Sequence, residues 1–169
     1  FTLSQDAVPG ATKLRGTLSG VQLEARESGY LGDNHIDADW IEILASEQVE
    51  IKKKGDFKMT GFVGGYNGQV GGIKVEVAGK LDFSNAYLTS GETIQLDAVG
   101  ITSDAVSVLK TRGLNIHADR GIGNKENKLS IQVDTVEAKV GFTGGVYLRE
   151  ADEIVLSEVI SVNGEVDIF

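Results

Sequence analysis

The sequence predicts an all-β chain coiled as a single-stranded parallel β-helix, or β-solenoid, and three observations carry that expectation. Apolar-x-apolar triplets recur in pairs: Val49-Glu50-Ile51 with Phe57-Lys58-Met59, Ile73-Lys74-Val75 with Leu81-Asp82-Phe83, Val106-Ser107-Val108 with Leu114-Asn115-Ile116, and Val146-Tyr147-Leu148 with Ile154-Val155-Leu156. The second triplet of each pair starts eight residues after the first. Longer steps of about one coil also appear, 21 residues from Ile73 to Ile94, 20 from Ile94 to Leu114 and 20 from Val146 to Val166. Self-similarity at this period is the signature of stacked repeats. Glycine is abundant, 22 residues, with a single proline, so the glycines read as turns rather than as a flexible linker.

The elements follow in order. Phe1-Thr2-Leu3 and Val21-Gln22-Leu23 are the clearest alternating pieces of the first 27 residues, and Pro9-Gly10 is a turn. Residues 28 to 39, with Gly29, Gly32, Asp33, Asn34 and Asp37, read as a loop that interrupts the repeat. Trp40 to Leu44 opens the regular portion. Alternation favours a strand there, although Trp40, Ile43, Leu44 and Glu47 also fit one face of a short helix. The glycine-dense stretch 61 to 72 is either an exposed excursion or a wide turn between coils.

From Ile73 the rhythm is steadiest, with triplets bounded by Gly79, Gly91, Gly100, Gly113, Gly121 and Gly123. Ser103-Asp104 before Val106 and Leu109 mimics a helix cap, but triplets on both sides favour strand. Gly121 to Lys128 is a polar insertion. Leu129 to Val133, Val136 to Ala138, Val146 to Leu148, Ile154 to Leu156 and Val166 to Ile168 complete the pattern. Residues 1–169 thus read as one β-helix segment, less regular over 1–72 and regular over 73–169. Phe1 in place of a methionine and the strand-like end Val166 to Phe169 suggest a piece of a longer repeat protein.

Strands this short cannot each build a sandwich sheet of normal length, but stacked in coils about 4.8 Å apart they form parallel sheets. Alternation sends the apolar residues inward and the charged ones out. Glycine suits the corners, and right-handed coiling is the sense expected of parallel crossovers. An antiparallel sandwich with strands every 8 to 12 residues is the rival, because its turn spacing would look similar.

The run Ala118-Asp119-Arg120-Gly121-Ile122-Gly123-Asn124-Lys125-Glu126-Asn127-Lys128-Leu129, then Ile131 to Ala138 (IQVDTVEA), then Gly145 to Asp152 (GVYLREAD), resembles repeats of large bacterial surface proteins of the filamentous-haemagglutinin-like type. The resemblance covers residues 73 to 169 and, loosely, 1 to 72. It implies a right-handed β-helix in an exported adhesin or extracellular filament, secreted or at the cell surface. It also implies partners on a host or cell surface, protein or glycan. It rests on a repeat style, so no functional residue is carried over.

Composition bounds the function. A net charge of −9 disfavours nucleic acid, since phosphate binding needs clustered cations, and Lys52-Lys53-Lys54, the only basic run, reads as a solvated strand end. Without cysteine there is no disulfide, thiolate metal site or cysteine nucleophile. No apolar run approaches the roughly 18 residues of a membrane span.

The sharpest local constellation is Asp33, Asn34, Asp37 and Asp39, whose oxygens could wrap a hard cation such as calcium. It lacks the mid-loop glycine and terminal glutamate of an EF-hand, and a solvated polar loop has the same composition. No other cofactor is expected. Glu150-Ala151-Asp152-Glu153 is a second acidic corner, of the kind that supplies general acid and base to β-helical polysaccharide enzymes, but no second carboxylate or catalytic cation pairs with it in sequence. His35 and His117 have no metal or triad spacing, and Gly121-Ile122-Gly123 lacks the rest of a dinucleotide motif. Trp40, Tyr30, Tyr66, Tyr87 and Tyr147 are scattered, as core edges or coil-to-coil stacks are, though a sugar-stacking surface uses the same residues.

The expected function is therefore structural or adhesive rather than enzymatic: a rigid shaft whose polar outside meets a partner and whose end coils take neighbouring repeats or subunits. The alternatives are a carbohydrate-active β-helix enzyme, of the lyase or tailspike kind, and a cytoplasmic scaffold polymer of the bactofilin sort.

Overall fold

The computed structural model describes residues 17–25, 41–53, 55–65 and 71–169, and among these there are ten strands and no helix. They are β1 (Thr17–Ala25), β2 (Ile41–Lys53), β3 (Phe57–Gly65), β4 (Gly72–Thr89), β5 (Thr93–Ser103), β6 (Val108–Ala118), β7 (Leu129–Val140), β8 (Val146–Glu150), β9 (Val155–Ser161) and β10 (Val166–Ile168). Every pairing is parallel. The chain coils as a β-solenoid of about five turns, and the antiparallel sandwich is excluded.

Several strands are long because each bends around a corner and pairs on two faces. Strand β4 pairs with β5 through residues 72–77 and 80–83, and with β6 through 87–89. Three ladders result. The first stacks 48–53, 72–77, 93–98, 113–118, 135–140 and 155–161, with β1 preceding them. The second stacks 57–59, 81–83, 101–103, Ile122, 146–148 and 166–168. The third stacks 41–45, 61–65, 86–89, 108–111, 129–133 and 148–150, in partly overlapping pairs.

Parallel register places like side chains on top of one another, so the alternation of each strand becomes buried columns, four of which stay buried through four or five passes. They are Val49–Ile73–Ile94–Leu114–Val136, Ile51–Val75–Leu96–Ile116–Ala138, Phe57–Leu81–Ile101–Ile122–Val146 and Val63–Leu88–Leu109–Ile131. Each fully buried Val, Leu, Ile or Phe contributes about 1.5–3 kcal/mol of hydrophobic stabilisation, so these columns dominate the energetics. The steps from Ile73 to Ile94, Ile94 to Leu114 and Val146 to Val166 are register pairs of the ladders, as their spacing predicts.

Four details correct the sequence reading. Val106-Ser107-Val108 is not an inward-facing triplet: Val106 is 65% exposed while Ser107 is fully buried, because Asp104 tethers the turn and resets the phase before β6. Residues 61–65 of the glycine-dense stretch are neither excursion nor turn but the second half of β3, paired with β2 and, through 61–63, with β4. Glu150 is not a solvated corner residue, since it continues the fourth column directly after Ile131. The corner glycines also differ among themselves. Gly123 has φ +66°, a conformation that suits glycine, whereas Gly79 has no positive φ and is required because a Cβ there would collide with Asp56. In the polar insertion, the Asn124 side chain accepts hydrogen bonds from the Glu126 and Asn127 amides at 3.0 and 2.8 Å and closes the turn.

Candidate functional site

Asp33, Asn34, Asp37 and Asp39 lie outside the described residues, as do His35, Tyr30, Trp40 and Tyr66. Among the described residues no group of three metal-ligating side chains comes together. Tyr87 stacks on Phe62 of the preceding pass, ring centroids 5.8 Å apart and planes 12° apart, which is the coil-to-coil stacking expected of the aromatics. His117 faces outward, its Nδ1 3.9 Å from Asp97, the residue beneath it in the ladder.

Most of the charges described on the outside of the first ladder are paired. Two rows run along it, Glu50–Lys74–Gln95–Asn115–Glu137–Glu158 and Lys52–Glu76–Asp97–His117–Lys139–Ile160. Lys52 contacts Glu50 at 3.0 Å and Glu76 at 3.5 Å, and Lys74 pairs with Glu76. Lys139 sits between Glu137 at 2.7 Å and Glu158 at 2.8 Å, two carboxylates that register would otherwise stack without relief. Hydrogen bonding to Lys74 holds the Glu76 carboxyl below its ordinary range, and hydrogen bonds to Glu137 and Glu158 hold the Lys139 ammonium above its own. Exposed pairs like these contribute little each, and they leave this face with few unpaired charges to offer a ligand.

The corner between the third and first ladders is different. A groove of about 410 Å³ runs across four successive passes there, from Thr89–Gly91 through Lys110–Arg112 and Gln132–Asp134 to Asp152. Its floor is fixed. Ser90 and Thr111 are buried, with the Ser90 hydroxyl donating to a backbone carbonyl of Gly71 or Thr93 and accepting from the Glu92 amide, and with Thr111 donating to the Glu92 carbonyl. Val133 is buried between them and Asp152. Its rim carries the exposed side chains of Lys110, Arg112, Asp134 and Asp152, none of which forms an ion pair among the described residues. The basic pair lies on one pass and the acidic residues on the next two. No aromatic ring lines the groove.

The acidic corner read from sequence is thus divided by the fold. Asp152 joins the groove, while Glu150 turns into the coil. Burial raises the Glu150 carboxyl above its ordinary range, although amide hydrogens of Ala151, Asp152 and Val133 act in the opposite direction. Its Oε1 accepts from Ala151 at 2.9 Å, and its Oε2 is buried without a partner. At a second corner Asp104 is fully served. It accepts from the Asn85, Val106 and Ser107 amides at 2.7, 3.2 and 2.8 Å and from the Ser107 hydroxyl at 2.7 Å. Burial works against the charged form, and these hydrogen bonds together outweigh it, so the Asp104 carboxyl lies below its ordinary range.

The last pass of the solenoid is the other exceptional surface. Val155, Leu156, Ile160, Val162, Val166 and Phe169 are all exposed, Leu156 at 50% although it continues the first buried column above Val136. Strands β9 and β10 each have an outer edge with no partner strand among the described residues. Compared with protein-family models, with curated proteins and with solved structures, the chain has no match.

Proposed function

We propose that this chain is a structural segment of a long bacterial surface β-solenoid, of the adhesin or extracellular-filament kind, acting as a rigid shaft rather than as an enzyme. The observation that carries the reading is the last pass. An apolar column that continues into half-exposed Leu156, flanked by open strand edges, offers a surface on which another coil can stack. Each stacked coil extends the apolar columns and adds a row of inter-coil hydrogen bonds, so the shaft lengthens by repetition with no change of design. The extracellular setting draws its support from the resemblance of residues 118–152 to filamentous-haemagglutinin-like repeats.

The experiment is light scattering of the chain over a wide concentration range, compared with the doubly substituted Leu156→Lys, Val166→Lys chain. Mass is expected to rise with concentration in the parent and to stay monomeric in the variant. A parent that remains monomeric at every concentration would remove end-stacking between copies as a mode of assembly. Protease shaving of intact cells producing the tagged parent protein tests the surface location, which would be refuted by full protection.

A further inference from the structure

We propose that the flank groove at the corner between the third and first ladders binds an extended peptide segment that carries an acidic and a basic side chain two residues apart. This deepens the partner-binding side of the surface-protein reading, but it concerns the flank and not the end coil. Charge pairing sets this groove apart from the neighbouring face. Along the first ladder Lys52, Lys74 and Lys139 sit in ion pairs, whereas Lys110, Arg112, Asp134 and Asp152 surround a groove and pair with nothing among the described residues.

Their order is fixed by register. Thr111 lies beneath Val133, so Lys110 and Arg112 occupy one pass, Asp134 the next and Asp152 the one after. With coils about 4.8 Å apart, the basic and acidic halves are separated along the axis by roughly 5–10 Å. An extended strand projects side chains i and i+2 from one face at about 6.6–6.8 Å, inside that interval. An acidic side chain then lies over Lys110 and Arg112 and a basic one over Asp134 and Asp152.

The remaining features favour a peptide over a sugar chain. No aromatic ring in the groove offers a stacking platform for a sugar, and the buried floor hydroxyls of Ser90 and Thr111 are already engaged by backbone carbonyls. Because those internal bonds hold the floor, the groove is formed before any ligand arrives, which lowers the ordering cost of binding.

The test is an NMR titration of the intact chain with a blocked peptide holding glutamate and lysine two residues apart in a glycine–serine background. A control peptide has glutamine at both charged positions, and cellohexaose is the glycan probe. The charged peptide is expected to shift the amides of residues 110–112 and 132–134 at millimolar concentration, and added salt should weaken the effect. The Lys110→Glu, Arg112→Glu variant should bind at least about tenfold more weakly. Reversing all four charges, with Asp134→Lys and Asp152→Lys added, should restore binding, since the peptide can lie in the opposite direction. No shifts in the groove, equal shifts with the glutamine peptide, or shifts with cellohexaose alone would each overturn the proposal. Failure here leaves end-coil association untouched, so the two ideas are separable.

Discussion

Replacing Asp104 with alanine should cost about 2–4 kcal/mol of stability, because its carboxylate holds a corner by four hydrogen bonds. The magnitude comes from what is left behind. Ser107 is fully buried, and losing Asp104 strips both its amide and its hydroxyl hydrogen of their acceptor, each orphaned donor costing about 1–3 kcal/mol before relaxation. Asn85, held at φ +53°, loses its inter-coil partner as well. Ser107 also accepts from the Ala86 amide at 2.9 Å, so its displacement would disturb the neighbouring pass. Urea unfolding at pH 7, followed by tryptophan-independent far-UV circular dichroism, measures the loss.

The pH dependence gives a second reading of the same residue. The folded carboxyl lies below its ordinary value of 3.8, so its stabilisation is fully present above that pH. It is lost as pH falls through the lower folded value. The stability difference between parent and Asp104→Ala should therefore be constant from pH 7 to about 5 and shrink below about pH 4. Asp104→Asn, which keeps an acceptor but not the charge, should fall between the two. A difference under about 0.5 kcal/mol at pH 7, or one that does not shrink in acid, would refute the corner-clamp argument.

Three further outcomes are expected. Glu150→Gln should be more stable than the parent at pH 7, because the folded carboxyl is raised by burial and its ionisation opposes folding; the advantage should fade as pH drops through that raised value, as a series of thermal melts from pH 7 down to pH 4 would show. Gly79→Ala should cost about 1–3 kcal/mol, as the new methyl meets Asp56 and displaces the carboxylate that accepts from the Lys80 amide at 2.8 Å, and loss of protection at the Lys80 amide in hydrogen exchange is the specific readout. Leu96→Ala should cost about 2–5 kcal/mol, since Leu96 is fully buried between Val75 and Ile116, with chemical denaturation as the measure.

Much of the fold is legible in the residues themselves. Ile73, Ile94 and Leu114 recur at one coil, alternate with polar neighbours and stack as read, because in a parallel coil the inward direction follows from period-two alternation alone. The same logic fails at Val106, where a side-chain tether from Asp104 moves the strand start and hands the inward position to Ser107. It fails again at Glu150, whose acidic neighbours suggest a solvated corner although register places it above Ile131. The groove could not be read at all, because its rim comes from residues on separate passes.

What the sequence determined by itself is the all-β character, the coil period and the first buried column, since local alternation and glycine spacing are properties of neighbouring residues. What only the tertiary structure decided is which charges meet. Lys52 finds Glu76 across a step of 24 residues and Lys139 finds Glu158 across 19, while Lys110 and Arg112 find no partner among the described residues. The coil step varies from pass to pass as corners lengthen or shorten, and a shift of one residue turns a side chain from the outside to the core, so pairing on the surface is fixed by the register of the whole solenoid and not by any one strand.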